Sequence, residues 1–445
     1  MNKKLIKTII FLWISFITIL FFMSATRHVY LTGNKNEGTQ KEIIKFFAEL
    51  APNIFNYYSI SKPIIIENTS NFKNGFYYSN KYQRTNDYLL TSSWDDHDGQ
   101  AVVKLVRISD GMVIKKWAPD INSLNKIYNN TITNGVKNNL SKNRTPLLHP
   151  LLLNDGSLIF SAGCIFKIDK DSKIIWNNTT PSHHSIERGT DGNIWICSYN
   201  TMKNNSEKYN IADDVIKKIS IIDGKTIFEK SIYEILLENG YNRGNFFINP
   251  LVSINETFLD CTHLNDVQPV FIDSKYWKKD DLFLSLRHQN MVLLYRPSTN
   301  KIIWSQIGPW LRQHDVDIID SNRIGIFGNN VIDAQFGNEK DRLIDGYNQQ
   351  YIYDFSKQIT STPYDNLFST SNIGTYTGGR SKILENGDIF IEETDRGRIL
   401  YGNVNGEIWS YSEHIGHNKC SQFMWSRYIS EEESKQMKFI NEVQK

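Results

Sequence analysis

The chain has 445 residues, of which 40% are hydrophobic and 22% charged, a globular composition that excludes a disordered or collagen-like chain. Fifty basic and 48 acidic residues give a net charge of +2, so there is no global basic field for binding nucleic acid. Four cysteines are too few for a disulfide scaffold, and we expect them to be small buried residues. Aromatic residues make up 13% of the chain and favour strands, which indicates a β-rich fold.

The chain begins with an apolar stretch that lysines precede. Residues 8–25 carry no charge and are just long enough to span a bilayer. The preceding lysines predict that the start stays in the cytoplasm and that the rest of the chain lies outside it. We favour a signal anchor over residues 1–26 that serves as a transmembrane helix. A cleaved signal peptide is the alternative, although Met23-Ser24-Ala25 is a poor cleavage site.

A small N-terminal module is predicted for residues 27–85. Within it, Lys41–Ser59 has the spacing of a short amphipathic helix that ends near Pro52. The remainder of this segment has room for two or three short strands.

A repeated unit fills residues 86–412. Each copy has alternating strands and a tight polar turn, often Asp-Gly or Asn-Gly, because both central positions of such turns need positive φ. Six copies of this unit predict an all-β fold, a six-bladed β-propeller, with residues 413–445 as a C-terminal tail. A two-sheet sandwich is the alternative. The copies end at Trp117, Trp176, Phe228, Trp304, Phe355 and Trp409.

Long loops are expected near residues 118–150 and 230–280. One helix is predicted in the second of these loops, with Ser231 as its N-cap, Glu234 three residues on, and Gly240 at its end.

Candidate chemistry lies in histidines beside predicted turns. The groups are His183-His184, His263 in CTHLND, Arg287 in SLRHQN and His314 in RQHD. Because propeller strands begin at the central channel, residues of different blades can meet at one mouth. Arginine offers a planar fork of donors that suits phosphate or sulfate, and histidine can transfer a proton or attack. The combination predicts transfer of a phosphoryl or sulfuryl group.

Other chemistries lack their motifs. A zinc site would need three histidines, or two with a carboxylate such as Asp266 or Asp315, yet no His-x-x-x-His or His-Glu-x-x-His pair occurs. The sequence contains no Gly-x-Ser-x-Gly, no phosphate-binding Gly-x-x-x-x-Gly-Lys-Ser/Thr and no dinucleotide-binding glycine pattern. We therefore expect neither a metal nor another cofactor.

Four segments in order resemble the bacterial arylsulfotransferases, which need no phosphoadenosine sulfate donor. DCTHLNDV resembles the family's Asp-Trp-x-His-x-Asn, and the segment from DDLFLSLRHQN to KIIWSQIG resembles its Asp-Asp-x-x-x-x-Ser-x-Arg region. RQHDVDIIDSNRIGIFGNN resembles Gln-His-Asp/Thr followed by Phe-Asp-Asn-Gly, and HHSIERGTDGNIWI resembles His-Asp followed by Gly-Asn. The resemblance covers roughly residues 85–412.

The resemblance implies a six-bladed propeller with a smaller N-terminal β domain, working in the periplasm. It implies transfer of a sulfuryl group from an aryl sulfate to a phenol by a ping-pong route through a sulfohistidine, without a cofactor. By similarity His314 is the nucleophile, and Arg287 holds the sulfuryl oxygens. His263 belongs to the His-x-Asn pair that helps to bind the sulfuryl group, and His184 is the remaining catalytic histidine. Asn265 and Asn329 are assigned to substrate binding.

The chain departs from the family pattern at three positions. Gly328 stands where the family has an aspartate, Cys261 where it has a tryptophan, and Ser185 where an aspartate could orient His184. Which of His184 and His263 is the general acid stays open, as does a homodimer. A propeller hydrolase of sulfated or phosphorylated compounds, or a non-catalytic extracytoplasmic binding propeller, are the alternative functions.

Overall fold

The structure is a computed structural model in which the chain divides into two units, Met1–Pro63 and Ile64–Lys445. The helix predicted over Lys41–Ser59 lies outside the described residues. The structure describes residues 3–31, 65–67, 72–131, 141–142, 144–202, 210–241, 258–332, 342–416 and 419–443.

One long helix occupies the described part of the first unit. Helix α1 spans Lys3–Leu31, and its stretch Ile6–Met23 has a mean hydropathy of 2.3. The large apolar side chains of this stretch are exposed, Phe11 by 69% and Phe21 by 75%. By length and composition the helix can cross a membrane, and near an N-terminus the same features are typical of a signal sequence.

The second unit is all-β and propeller-like. Antiparallel sheets of four or five strands, and one larger sheet, follow one another along the chain. The first sheet has the order β29-β3-β4-β5. Its strands are β3 (Tyr88–Asp95), β4 (Gln100–Arg107), β5 (Val113–Trp117) and β29 (Arg427–Ile429).

The larger sheet is continuous from β6 to β12 because of one long strand. Residues 174–181 of β9 pair with β8, and residues 182–188 pair with β10, so β9 serves two sets of strands. Strand β13 (Phe258–Asp260) adds to this sheet in parallel with β11. The strands are β6 (Leu148–Leu152), β7 (Leu158–Ser161), β8 (Cys164–Ile168), β9 (Ile174–Arg188), β10 (Ile194–Met202), β11 (Asn210–Ile219) and β12 (Thr226–Ser231).

Three further sheets complete the arrangement, with the orders β14-β15-β16-β17, β18-β19-β22-β23 and β2-β27-β26-β25-β24. The first has β14 (Leu264–Pro269), β15 (Leu282–Leu286), β16 (Met291–Arg296) and β17 (Lys301–Ile307). The second has β18 (Asp315–Ile318), β19 (Arg323–Gly328), β22 (Gln349–Asp354) and β23 (Ile359–Ser361). The third has β2 (Gly75–Tyr78), β24 (Arg380–Ile383), β25 (Ile389–Glu393), β26 (Arg398–Asn403) and β27 (Gly406–Ser412).

Two small ladders and five short helices lie between or beside these sheets. The helix predicted after β12 is confirmed: the Ser231 side chain accepts the N–H of Glu234, and Gly240 beyond its end has φ +89°. The ladders pair β1 (Ile65–Glu67) with β28 (Lys419–Ser421), and β20 (Val331–Ile332) with β21 (Arg342–Leu343). The helices are α2 (Ile121–Thr131), α3 (Ile232–Glu238), α4 (Asp365–Thr370), α5 (Glu431–Gln436) and α6 (Lys438–Val443).

Aromatic side chains pack between neighbouring sheets, as expected from their abundance. Trp304 of β17 lies 4.9 Å from Tyr353 of β22 and 4.8 Å from Phe355, measured between ring centroids. Phe283 of β15 joins the same cluster. Each of these rings removes a large apolar area from water, so the contacts fix one sheet against the next. All four cysteines are buried, as expected.

Both ends of the second unit contribute strands to the sheets. We expected residues 413–445 to form a tail, yet β29 pairs with β3 and thereby belongs to the first sheet. Residues 27–85 were expected to form a separate module, yet β2 pairs with β27 of the last sheet. The propeller-like unit therefore extends beyond residues 86–412 on both sides. Strands of three or four residues are too short to show a sequence repeat, which is why the boundaries were missed.

Candidate active site

A recurring backbone irregularity accompanies three histidines, two within the strands β6 and β9 and one directly before β14. His149, His184 and His263 have φ values of 54°, 52° and 53°, in the left-handed region that non-glycine residues seldom adopt. Strand pairing shifts register close to each of them, in β6, β9 and β14. A bulge turns a side chain out of its normal alternation, and such features concentrate at functional sites.

The structure brings the predicted histidines together. The ring centroid of His184 lies 5.0 Å from that of His263 and 5.4 Å from that of His314. Arg287 directly follows β15, is 6% exposed, and its backbone N–H donates to the carbonyl of His263 over 3.0 Å. His288 stacks beside His263, with 4.5 Å between their centroids. Residues from β9, β14 and β18 thus converge on one site.

One hydrogen bond fixes the orientation of His314. The Asn329 side-chain nitrogen donates to the carbonyls of Thr375 and Gly378, over 3.1 and 2.9 Å, so its oxygen Oδ1 must be an acceptor. His314 Nδ1 lies 3.0 Å from this oxygen and therefore donates to it. The proton sits on Nδ1, and Nε2 carries the free lone pair that a nucleophile needs.

The peptide before His314 is anchored from both sides. The Gln313 side chain donates to the carbonyls of Leu286 and Met291, over 3.1 and 3.0 Å. Asn265 donates to the Gln313 carbonyl over 3.0 Å and is fully buried. Its Oδ1 has no hydrogen-bond partner among the described residues. Asn265 thus holds the backbone next to His314, and its Oδ1 is available to accept a hydrogen bond.

Asp260 links two of the clustered histidines. Its carboxylate accepts from His263 Nδ1, and its backbone carbonyl lies 2.8 Å from His288 Nδ1. Although burial opposes ionisation, the hydrogen bond from His263 and the nearby histidine charges lower the pKa of Asp260 to about 2. A carboxylate on Nδ1 fixes the imidazole tautomer and directs Nε2 of His263 away from Asp260.

A second chain of polar groups reaches His184. His183 Nδ1 lies 2.7 Å from His184 Nδ1, so one of these nitrogens donates to the other. His183 Nε2 in turn lies 3.5 Å from the carboxyl group of Asp214, which also accepts from Thr262 and from the N–H of Leu264. Burial and the charge of Asp260 raise the pKa of Asp214 to about 7.

Three imidazoles of the cluster are held uncharged. Burial, the Arg287 guanidinium and His263 lower the pKa of His314 well below the ordinary histidine value. Burial and the surrounding histidines do the same to the pKa of His184, and burial lowers the pKa of His183 to about 4. At neutral pH these three imidazoles therefore keep lone pairs for nucleophilic attack or proton transfer.

One group at the site could hold a metal ion. Asp260, His263 and His288 each offer a ligand atom, and these atoms lie within 4.8 Å of one another. A histidine pair with one carboxylate is a ligand set that zinc accepts. Asp266 and Asp315, the carboxylates considered from the sequence, belong to neither metal-compatible group found in the described residues.

Several residues of the cluster escaped prediction from the sequence. His149 is a single histidine in LHPLL, and His288 stands beside Arg287 without a motif of its own. Asp214 lies on β11, in a stretch that shows only the alternation of a strand, so nothing local marks it. The sequence feature that could have identified Asp260 was its position three residues before His263.

Comparison with known proteins gives one family match. The family model described as Arylsulfotransferase (ASST) matches residues 149–414, more than half of the chain and the whole histidine cluster. No curated protein matches the chain.

Solved structures give fold-level likenesses only. The C-terminal WD40 domain of Sif2 has 8% identity and a TM-score of 0.38, covering 82% of this chain and 97% of that one. An inactive virginiamycin B lyase from Staphylococcus aureus has 11% identity and a TM-score of 0.35, covering 78% and 99%. Because these TM-scores are low, we base no argument on them.

Proposed function

The chain belongs to the arylsulfotransferase family, and we propose that it moves a sulfuryl group from an aryl sulfate to a phenol through a sulfohistidine on His314. The observation that carries the proposal is the Asn329 hydrogen bond, which puts the proton of His314 on Nδ1 and leaves Nε2 free. Burial and Arg287 keep that imidazole neutral. A neutral, oriented nucleophile beside an arginine suits attack on an oxyanion ester.

In the first half-reaction, Nε2 of His314 attacks sulfur. The nitrogen–sulfur bond forms as the bond from sulfur to the aryl oxygen breaks, and its electron pair leaves with that oxygen. Such transfers have loose transition states with charge on the peripheral oxygens and the leaving group. The Arg287 guanidinium stabilises that charge, and His263 is held in place at the site by its hydrogen bond to Asp260.

His184 is the acid for the leaving oxygen. Its Nε2–H donates to the aryl oxygen while its Nδ1 takes a proton from His183 Nδ1, 2.7 Å away. Asp214, with a pKa of about 7, is placed to resupply His183. This pair does what an aspartate at position 185 would do, since the Ser185 hydroxyl does not contact His184 and instead accepts the backbone N–H of Val267 in β14.

In the second half-reaction, the same groups work in reverse. The phenol oxygen attacks sulfur and gives its proton to Nε2 of His184, which the first step has left unprotonated. The nitrogen–sulfur bond breaks, and its electron pair returns to Nε2 of His314. No proton or electron has to come from outside, so donor and acceptor suffice without a cofactor.

The proposal includes the location and the blade count. We interpret the larger sheet as two blades that share β9, which with the other four sheets makes six. We interpret residues 8–25, within α1, as a membrane anchor that leaves the site outside the cytoplasm, in the periplasm of a bacterial cell.

The proposal is tested by following nitrophenolate release from 4-nitrophenyl sulfate with a panel of phenols. We expect acceptor-dependent release, and we expect His314→Ala to abolish it. His97→Ala is the matched control, because this side chain is 90% exposed and lies in the turn between β3 and β4. Equal activity of His314→Ala and the control would refute the assignment.

Two arms of the assay separate other functions. Sulfate release that does not depend on a phenol would indicate a hydrolase. Activity that a chelator removes and zinc restores would indicate a metal at Asp260, His263 and His288, where the ligand atoms are close enough.

A further inference from the structure

Strand β9, which presents His184, also carries a cation further along, and two other strands bring cations close to it. Arg188 ends β9, four residues after His184, which at about 3.3 Å per residue places its Cα roughly 13 Å further along the strand. Lys382 lies in β24 and Arg427 begins β29. These three residues, with Arg380, line a cavity of about 410 Å³ that the histidines do not line. We call it the basic pocket.

Most cations of the basic pocket have counterions. Arg380 lies 3.5 Å from Asp315, and Arg427 lies 3.1 Å from Glu187. Lys382 is 4.0 Å from Glu433, the outer limit of an ion pair. The Arg188 guanidinium has no ion-pair or hydrogen-bond partner among the described residues, and burial and the neighbouring Arg427 lower its pKa. Within the described part of the chain, the pocket therefore contains a half-buried guanidinium without a counterion.

The basic pocket is also lined by apolar residues. Leu152, Phe390 and Tyr428 are 6%, 1% and 9% exposed, and Met437 and Leu151 line the pocket with them. Cations and hydrocarbon in one lining suit a ligand with both characters. A volume of 410 Å³ falls in the range of about 300–1,000 Å³ that is typical of small-molecule sites.

We propose that the basic pocket binds a small organic anion, a sulfonate, sulfate or phosphate group on an apolar body, at a site separate from His314. The oxyanion takes the free donors of Arg188, with Lys382 and Arg427 beside it, because a guanidinium fork matches such oxygens. The apolar body lies along Leu152 and Met437. Binding here does not depend on transfer at the histidine cluster, since no residue is shared.

The test is equilibrium dialysis of the full chain, in detergent, with naphthalene-2-sulfonate. Its carbon–sulfur bond cannot take part in sulfuryl transfer, so only binding is measured. We expect Arg188→Glu to weaken binding at one site by about tenfold or more, because a charge-assisted hydrogen bond is lost and repulsion is added. The initial rate with low 4-nitrophenyl sulfate should stay unchanged.

The matched control is Arg323→Glu, an arginine of β19 that pairs with Asp320 outside the pocket. Lys382→Glu, at a 40% exposed side chain, provides a second variant that tests the same site if Arg188→Glu fails to fold. The proposal would be overturned if Arg188→Glu and Lys382→Glu gave the same binding isotherms as the control Arg323→Glu. It would also be overturned if Arg287→Gln removed all binding, or if inorganic sulfate displaced the probe at equal concentration.

Discussion

At the scale of single residues, Asn329 sets the chemistry available to His314. Its amide is oriented by two backbone carbonyls, and so its oxygen accepts the Nδ1 proton of His314. An aspartate in its place would also accept, but its charge would stabilise the imidazolium form. Asn329 thereby fixes the ring without placing a negative charge beside it, and the pKa of His314 stays lowered by burial and Arg287.

Asn329→Asp should move the acidic limb of kcat/KM to higher pH. The carboxylate favours protonated His314, only the neutral form attacks, and activity is therefore lost at a higher pH than in the wild type. In the wild type, the lowered pKa keeps His314 neutral at pH 6, so protonation of this imidazole should not slow the reaction at that pH. Asn348→Asp is the control, because Asn348 donates to the carbonyls of Asn329 and Thr375 without touching His314. Superimposable pH profiles of Asn329→Asp and wild type would contradict the prediction.

The acid role of His184 predicts a dependence on the leaving group. His184→Gln should slow transfer from phenyl sulfate by about tenfold more than transfer from 4-nitrophenyl sulfate, because nitrophenolate leaves without needing a proton. His183→Gln should shift the ratio in the same direction, since His183 contacts His184 over 2.7 Å. His263→Gln should slow both donors alike. If His263→Gln instead slows transfer from phenyl sulfate more than transfer from 4-nitrophenyl sulfate, then His263 is the general acid and His184 is not.

The motifs predicted four residues that the structure brings together, His184, His263, Arg287 and His314. They did so because each motif lies where a strand begins, ends or changes its partner strand, and these places meet at one site. Asp214 could not be predicted, because its contact with His183 joins β11 to β9, two strands that are separated by β10, and its partner in β10 is Tyr199 rather than a motif residue. The sequence around a residue does not reveal contacts of this kind with residues on other strands.

At the scale of elements, the sheets are closed by exchange between the chain ends. Strand β2 precedes the first sheet and pairs in the last, and β29 follows the last sheet and pairs in the first. Both therefore cover edges that would otherwise expose unpaired backbone groups. Tyr428 of β29 also stacks on Tyr401 of β26, 5.3 Å between centroids, so β29 contacts two sheets.

Truncation after Ser426 should abolish cooperative folding, because it removes β29 and leaves the edge of β3 unpaired. Truncation after Ser430 keeps β29 and removes α5 and α6. That chain should still unfold cooperatively. Its Tm should be lower, because Phe439 and Ile440 belong to the same apolar core as Leu90 of β3. Circular dichroism during heating distinguishes the two, and equal melting of both chains would show that β29 does not close the structure.

At the scale of the whole molecule, the apolar helix and the propeller-like unit differ in where they place their apolar side chains. Helix α1 exposes Phe11, Phe21 and their neighbours, and each such side chain gains about 1.5–3 kcal/mol when it leaves water. The sheets bury their apolar residues among themselves. Hydropathy predicted the apolar helix, and the sequence repeats predicted the sheets. The first strand of the sheets, β2, could not be predicted, because its pairing with β27 is visible only in the structure.

Removal of residues 1–31 should release the protein from the membrane without changing its Tm or its turnover of 4-nitrophenyl sulfate. The full chain should sediment with membranes and should require detergent for extraction. Intact mass of the mature protein decides between an anchor and a signal sequence, because only the anchor retains residues 1–25. A full-length chain that is soluble without detergent would contradict membrane insertion.

The most direct test of the central claim is intact-mass spectrometry of the protein after exposure to an aryl sulfate without an acceptor. The account predicts a species heavier by one SO₃ group, carried by the peptide that contains His314 and discharged when a phenol is added. His314→Ala should gain no mass, and His97→Ala should behave as wild type. Turnover with phenol in the absence of any such adduct, or an adduct that persists in His314→Ala, would contradict the account.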